Sequence, residues 1–152
     1  MSELIGQSAP ELTLKNTNGD PVSLSDFRGK KVVLVFFPFA FTGTCTAELC
    51  AIRDNADDFI DADTVVISIS CDSHFTLRNF AEKENFNHIL LSDFWPHGDV
   101  SRAYGVFLEE RGMSTRGTFV IDREGIVRWA VITSPAEARS TADYRDAVAA
   151  IA

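Results

Sequence analysis

The chain has 152 residues, 45% of them hydrophobic, which is enough for one full hydrophobic core and favours a single domain over residues 1–152. Its formal net charge is −8, with Lys and Arg scattered along the chain, and this argues against a nucleic-acid surface. The longest apolar run, Val32 to Phe37, is far shorter than the ~20 residues of a membrane span, and no basic segment precedes an apolar stretch near Glu3, so we expect a cytoplasmic protein that binds no membrane.

The first predicted element is an amino-terminal hairpin. Two short apolar segments, 12–14 and 22–24, flank a turn that contains Asn18 and Gly19, a pair that suits a tight turn between strands. The next three predicted elements are a strand, a helix and a strand, over 31–37, about 44–59 and 64–70. Two near-continuous apolar strands joined by a helix predict a βαβ unit with a buried parallel pair.

The second half of the chain alternates helical and strand patterns. Ser73 is a candidate N-cap for a helix that runs towards Glu84. The remaining predicted elements are a short strand, a short helix, a two-stranded hairpin and a final helix, over 89–91, 98–104, 117–121 with 125–130, and 135–150. Parallel strands in the middle and an antiparallel hairpin near the end predict an α/β protein with a central mixed sheet flanked by helices.

Cys45 is the most informative single residue, because the pattern places it in the first turn of the helix that follows the strand over 31–37. The thiolate is the reactive form of cysteine, and the start of a helix can lower a thiol pKa from ~8.5 into the range of about 3.5–7.5. Cys45 is therefore a candidate nucleophile. The chain has three cysteines, which in a cytosolic protein favours redox-active or free thiols over structural disulfides, and the odd number leaves at least one of them unpaired in the monomer.

Pro38, Thr42 and Cys45 form the pattern Pro-x-x-x-Thr-x-x-Cys, which resembles the active-site loop of the peroxiredoxins, thiol peroxidases that reduce hydroperoxides. Three further segments carry the same resemblance, over 6–12, 92–96 and 116–122. The Phe-rich loop and the run from Ser92 to Gly98 most resemble the alkyl hydroperoxide reductase E group. The spacing of Cys45 and Cys50 instead resembles the bacterioferritin comigratory protein and peroxiredoxin Q group.

The peroxiredoxin resemblance implies a thioredoxin-like fold and a set of roles. Cys45 would attack the peroxide, Thr42 would orient the thiol or the peroxide, and Pro38 would stiffen the loop. Arg116 would lie over Cys45, where its guanidinium could stabilise the thiolate and hold a peroxide oxygen. The implied partners are a hydroperoxide and an external thiol reductant, which could be thioredoxin, a glutaredoxin-like protein or a small thiol. The resemblance leaves open whether the protein forms a homodimer.

Glu48 and Trp95 are candidate supporting residues. Glu48 lies three residues after Cys45, on roughly the same side of the helix, and could accept a hydrogen bond from Arg116. The alternative for Glu48 is an acid that is favourable to the helix dipole in the first turn. We expect Trp95 to pack near the site, with a core or interface aromatic as its alternative role.

Cys50 is the predicted resolving cysteine, five residues after Cys45. In an intact helix these positions lie about 8.5 Å apart at Cα. A disulfide needs Cα atoms within about 7 Å, so a Cys45–Cys50 bond requires at least one helical turn to unwind. The alternative is a one-cysteine mechanism in which Cys50 stays a free thiol and an outside thiol recycles Cys45. Cys71 is predicted to be a spectator thiol, with a resolving role as its alternative.

Two other functions have less support. A thioredoxin-like disulfide reductase would normally carry Cys-x-x-Cys, but residue 48 is Glu. A non-catalytic redox sensor would have no need of the full set of Pro38, Thr42, Cys45 and Arg116. The three histidines do not have metal-ligand spacing with the cysteines, and no phosphate-cradling loop is present, so we expect no metal and no cofactor.

Overall fold

A computed structural model describes residues 2–151. Its strands and helices are, in chain order, β1 (Thr13–Lys15), β2 (Pro21–Ser23), β3 (Lys31–Phe36), α1 (Gly43–Asp54), β4 (Thr64–Ser70), α2 (His74–Glu84), β5 (Ile89–Ser92), α3 (Asp99–Ala103), β6 (Phe107–Leu108), β7 (Met113–Ser114), β8 (Arg116–Ile121), β9 (Val127–Thr133) and α4 (Thr141–Ala149). Within this range, no helix combines the length and the apolar character that crossing a membrane requires.

The main sheet has seven strands in the order β2-β1-β5-β4-β3-β8-β9. The three central strands, β5, β4 and β3, run parallel to one another, and the remaining pairs are antiparallel. The β1–β2 hairpin extends one edge of the sheet, and β8–β9 forms the other edge. The predicted mixed sheet, amino-terminal hairpin and βαβ unit are thus confirmed.

Helices cover both faces of the sheet. On one face, Leu34 and Phe36 of β3 pack with Tyr104 at the end of α3, and the rings of Phe36 and Tyr104 lie 5.2 Å apart. On the other face, Val33 and Val35 of β3 pack against α4. A third cluster joins α1 to α2 and contains Phe37, Cys45, Leu49, Leu77 and Phe80. Because β3 is buried on both faces, its sequence is a nearly uninterrupted apolar run.

Strand register brings distant parts of the chain to one edge of the sheet. Because β3 and β4 are parallel, both end at the same edge, and the loop that begins at Phe37 leaves the sheet there. β8 runs antiparallel beside β3, with Gly117 opposite Phe36. Arg116, the first residue of β8, therefore lies at the carboxyl end of β3, next to the start of α1.

The predicted helix over 44–59 is too long at its carboxyl end. α1 ends at Asp54, and the Asn55 side-chain amide donates a 2.8 Å hydrogen bond to the Ala51 carbonyl. The side chain thereby satisfies one of the last carbonyls of the helix and terminates it. A single 3₁₀ turn over Ala56–Asp58 follows.

Two features of the second half also differ from the prediction. The final helix, predicted over 135–150, begins only at Thr141, because the Ser140 hydroxyl accepts the Ala142 N–H and caps the helix there. The residues before it form a loop. In addition, β6 and β7 form a two-residue hairpin outside the main sheet, too short to produce a periodic pattern. The other predicted elements are present close to their predicted bounds.

Candidate active site

Cys45 is the third residue of α1, as the sequence predicted. Thr42 is the N-cap, with extended backbone angles of φ −85° and ψ 153°. The first N–H groups of a helix have no intrahelical partner, so those of Gly43, Thr44 and Cys45 point away from the helix body at its positive end. Cys45 itself is fully buried. The sulfur therefore lies beside unpaired donors and away from bulk water.

The loop before α1 is held in a tight conformation. Pro38 is buried, and Phe41 has a positive φ of 68°, which is uncommon for a residue other than glycine. The Phe41 ring packs on Phe80 of α2, with ring centroids 5.0 Å apart. The Thr42 hydroxyl does not cap its own helix. It donates a 2.9 Å hydrogen bond to the Phe39 carbonyl, which leaves its oxygen lone pairs free to accept.

Arg116 lies against the Cys45 sulfur. Its Nη1 is 3.3 Å from the Cys45 Sγ and 2.6 Å from a Glu48 Oε1. Its Nε donates to the Pro135 carbonyl at 2.8 Å, so both sides of the guanidinium are fixed. The two residues are 71 positions apart in sequence and are brought together by the β3–β8 register. A permanently charged donor therefore faces the thiol inside the protein.

Glu48 is buried between two arginines. Besides Arg116, it accepts hydrogen bonds from the Arg139 backbone N–H at 2.6 Å, from Arg139 Nε at 3.0 Å and from Arg139 Nη2 at 2.8 Å. The three side chains are only 2–5% exposed. Arg139 continues to β8, where its Nη1 donates to the Gly117 carbonyl and to the Thr118 hydroxyl. The cluster thus ties α1, β8 and the loop before α4 together.

Sequence reasoning missed Arg139, because its position fell inside the predicted helix over 135–150. No motif marks it in the sequence. In the structure it supplies the second positive charge of the cluster, so two guanidinium groups surround one carboxylate next to Cys45 and one net positive charge is left over.

Opposing effects set the ionisation of Glu48. Burial alone would raise the pKa of this carboxyl, but the hydrogen bonds and charge of Arg139 and the charge of Arg116 outweigh burial and hold the pKa below its ordinary value. Glu48 is therefore ionised at neutral pH. It fixes Arg116 by charge and geometry together.

Cys50 lies on the same helix but on a different side from the cluster. It is partly buried against the cluster that joins α1 to α2, and its Sγ is 3.7 Å from the Glu84 Oε2. Burial raises the pKa of the Cys50 thiol; Arg53 lowers it in part, and the Glu84 carboxylate raises it further. With α1 intact, Cys45 and Cys50 are both free thiols, in agreement with the separation expected for positions i and i+5.

Cys71 belongs to a separate buried cluster. Its sulfur is 3.9 Å from the Ser101 hydroxyl, and burial together with the nearby Asp93 carboxyl raises the pKa of the Cys71 thiol to about 11. Such a thiol stays protonated at neutral pH. Across residues 2–151, no group of three or more His, Cys, Asp or Glu side chains is arranged to hold a metal ion.

The expected packing of Trp95 beside the site is not present. The Trp95 side chain is 79% exposed, whereas Cys45 is fully buried. The residue lies in the turn between β5 and α3, and its neighbour Phe94 is also exposed. The structure therefore brings together Pro38, Thr42, Cys45, Glu48 and Arg116 at one end of α1, and it leaves Trp95 out of the set.

The chain is similar to known proteins over most of its length. Residues 5–130 match the model described as the AhpC/TSA family. Alkyl hydroperoxide reductase E of Mycobacterium tuberculosis is 47% identical over 148 residues, which cover 97% of each chain. Peroxiredoxin Bcp of Bacillus subtilis is 39% identical over 127 residues, or 80% of each chain. The crystal structure of Enterococcus faecalis AhpC has a TM-score of 0.89 at 25% identity, covering 99% of this chain and 92% of that one.

Removing the charge of Glu48 should destabilise the protein strongly. In Glu48→Gln, two buried guanidinium groups lose their counter-charge, so we expect the free energy of unfolding in urea to fall by about 3 kcal/mol at neutral pH. The matched control is Glu82→Gln, which breaks an exposed helix pair with Arg78 and should cost less than about 0.5 kcal/mol. Equal effects of the two substitutions would contradict a buried ionic cluster.

The pH dependence of the stability of Glu48→Gln should show that the loss comes from the missing charge. Because the pKa of Glu48 is depressed in the folded protein, its ionised form contributes stability above the unfolded-state pKa of about 4.3. That contribution is lost as the pH falls through the lower folded-state pKa. The stabilities of wild type and Glu48→Gln should therefore converge in acid, and a gap that is constant from neutral to acid pH would point to lost packing instead.

Proposed function

The chain belongs to the AhpC/TSA family of peroxiredoxins and is a thiol-dependent peroxidase, and on that premise we propose that Cys45 is the thiol that attacks the hydroperoxide. One observation carries the proposal. The Cys45 Sγ lies 3.3 Å from the buried guanidinium of Arg116, at the positive end of a helix. Cys50 and Cys71 both have raised pKa values, and among residues 2–151 neither lies beside a comparable buried cation.

The proposed chemistry is a displacement at oxygen. The Cys45 thiolate attacks the O–H oxygen of the hydroperoxide, an S–O bond forms, and the O–O bond breaks. The products are a Cys45 sulfenic acid and an alkoxide, or hydroxide when the substrate is hydrogen peroxide, which then takes a proton from water. Arg116 and the N–H groups of the first turn of α1 donate hydrogen bonds to the oxygens as negative charge moves to the leaving group.

The other residues of the site prepare this step. Thr42 accepts the hydrogen bond of the peroxide O–H, because its own proton is committed to the Phe39 carbonyl. Pro38 restricts the loop and helps to exclude water. Glu48 fixes Arg116, and Arg139 fixes Glu48 in turn. Glu48 also occupies the position at which a disulfide reductase of the Cys-x-x-Cys type would carry its second thiol, which argues against that activity.

We place Cys50 as the resolving cysteine. After attack, the Cys50 thiol gives up its proton and its sulfur displaces the sulfenic hydroxyl of Cys45, so the Cys45 S–O bond breaks and the hydroxide leaves with that proton as water. The Cys45–Cys50 disulfide that forms is then reduced by a thioredoxin-type external thiol. The step requires α1 to unwind locally. Cys50 is favoured over Cys71 because it is partly exposed and lies on the same helix as Cys45. We further propose that residues 1–152 form a single domain that works in the cytoplasm without a cofactor. The same chain would be able to form a homodimer.

Cys45→Ser tests the central assignment. Serine keeps the size and fold but has no thiolate to accept the oxygen, so peroxide consumption with a thiol reductant should fall to the background rate. Cys71→Ser is the control, since its hydroxyl can bond to Ser101 and its thiol has no part in the step. A Cys45→Ser protein that consumes peroxide at the wild-type rate would remove the assignment.

Arg116→Ala should slow the first reaction with peroxide by ~10²–10³-fold, because one preorganised donor at developing charge is lost. Arg128→Ala is the matched control, an arginine with a half-exposed side chain paired to Asp122. If Arg116→Ala reacts with peroxide as fast as Arg128→Ala, the guanidinium beside Cys45 has no part in the reaction.

Cys50→Ser distinguishes the two ways of resolution. After one equivalent of peroxide, oxidised wild type should lose two hydrogens by intact mass, whereas Cys50→Ser should gain one oxygen and accumulate the sulfenic acid. Amide exchange over residues 44–52 should quicken only in the oxidised wild type, because the bridge cannot form in a regular helix. Oxidised wild type in which Cys50 can still be alkylated, with unimpaired recycling of Cys50→Ser, would establish the one-cysteine mechanism.

A further inference from the structure

We propose that Asp72 is a positioning residue of the peroxidase, holding the loop over residues 38–42 in the shape that aims the Thr42 hydroxyl at the peroxide. The inference rests on the proposed function, in which Cys45 reacts and Thr42 receives the peroxide. Asp72 lies just after β4 and touches neither Cys45 nor Arg116 through any hydrogen bond found among residues 2–151. It would act only through the loop.

The contact between Asp72 and the loop is direct. The Ala40 backbone N–H donates a 2.8 Å hydrogen bond to the Asp72 Oδ2. The parallel register of β3 and β4 makes this bond available, because both strands end at the same edge and the segment after each one continues there. Ala40 is the middle residue of the loop. Its N–H therefore anchors the loop at its centre to the segment that leads into α2.

Asp72 is itself fixed from several sides. The Ser70 hydroxyl donates a 2.6 Å hydrogen bond to the same Oδ2, and the Asp72 N–H donates back to the Ser70 hydroxyl at 3.3 Å. The Ser92 hydroxyl of β5 donates to the Asp72 carbonyl. Burial raises the pKa of the Asp72 carboxyl, and the hydrogen bonds of Ser70 and Ala40 offset part of that effect. The acceptor for Ala40 is thus held at a fixed point of the sheet.

The loop needs such an anchor because its backbone is strained. Phe41, the residue after Ala40, has a φ of 68°, and a non-glycine residue in this region costs on the order of 1–3 kcal/mol. Contacts on both sides impose the conformation: the Ala40 bond to Asp72 before Phe41, and the Thr42 bond to the Phe39 carbonyl after it. With the first bond removed, the turn can relax. The Thr42 hydroxyl would then move with it.

A displaced Thr42 should slow the reaction with a hydroperoxide but should not change the reactivity of Cys45 itself. Arg116, Glu48 and the start of α1 are held by the ionic cluster and do not depend on Asp72. The thiolate should therefore keep its reactivity towards a reagent that needs no positioning. The reaction with a hydroperoxide should suffer, since a misplacement of about 1 Å can cost ~10²-fold in rate.

The experiment compares Asp72→Ala with Asp72→Asn and with Asp93→Ala. The asparagine oxygen can still accept from Ala40, so Asp72→Asn should restore the rate. Asp93 is a matched control, a buried carboxylate just after β5 that accepts from the Val100 and Ser101 N–H groups and from the Ser101 hydroxyl. For each variant, we would measure the first reaction with tert-butyl hydroperoxide by quenched-flow mass analysis, the alkylation rate of Cys45 by iodoacetamide, and the urea midpoint.

For Asp72→Ala, we expect the peroxide rate constant to fall ~10–10²-fold while alkylation is at least as fast as in wild type. Asp72→Asn should stay within about threefold of wild type, since a neutral acceptor is roughly half as strong as a charged one. Asp93→Ala should lose stability without losing peroxide rate. If Asp72→Ala does not fold, Asp72→Ser serves instead, because its side chain is one bond too short to reach Ala40.

Three results would overturn the inference: an unchanged peroxide rate in Asp72→Ala, an equal loss of peroxide rate and alkylation, or no rescue by Asp72→Asn. Failure of the proposed function is recognised separately. In that case Cys45→Ser would still consume peroxide, whatever the behaviour of Asp72→Ala. An inactive Cys45→Ser together with a fully active Asp72→Ala would leave the proposed function standing and remove only the role of Asp72.

Discussion

The site depends on one buried ionic cluster, in which the Glu48 carboxylate lies between the guanidinium groups of Arg116 and Arg139. Taking three charges out of water costs several kcal/mol per ion, and the chain offsets this cost with hydrogen bonds from every side. Arg116 also donates to the Pro135 carbonyl, and Arg139 donates to Gly117 and Thr118 on β8. Because its members come from α1, β8 and the loop before α4, the cluster fixes the position of Cys45 relative to the sheet. The residual positive charge faces the sulfur.

The helix that presents Cys45 has two conflicting requirements. Its first turn must stay ordered so that the N–H groups and Arg116 face the sulfur, yet a bond from Cys45 to Cys50 demands that the same turns unwind. Leu49, between the two cysteines, is fully buried, and exposing such a side chain costs about 1.5–3 kcal/mol. In the proposed mechanism, attack on the peroxide uses the folded helix, whereas resolution by Cys50 uses a locally unfolded one. If Cys50 is the resolving cysteine, we expect the stability of α1 to set part of the rate of resolution.

The sequence was sufficient for the sheet, the hairpin and the place of Cys45 at the start of α1, because each has a local signal: continuous apolar strands, an Asn-Gly turn, and a cysteine between a strand and a helix. The contact of Arg116 with Cys45 depends on the β3–β8 register, which only the family resemblance implied. Arg139 and Asp72 were not recognised, since both act through tertiary hydrogen bonds from loops that have no periodic pattern. The packing expected of Trp95 was wrong, because a motif fixes the identity of an aromatic residue but not its burial.

Cys45 and Cys71 show that burial alone does not decide the chemistry of a thiol. Both side chains are almost completely buried, at 0% and 3% exposure. Cys71 lies near the Asp93 carboxyl, and burial and that negative charge together raise the pKa of its thiol to about 11. Cys45 instead faces a guanidinium at the positive end of a helix, so the charge nearest to it is positive rather than negative. The acidic residue nearest to Cys45 does not reverse this, because Glu48 is committed to two arginines. The two buried thiols thus differ in the sign of the charge beside them, and the dry surroundings strengthen the effect of that difference.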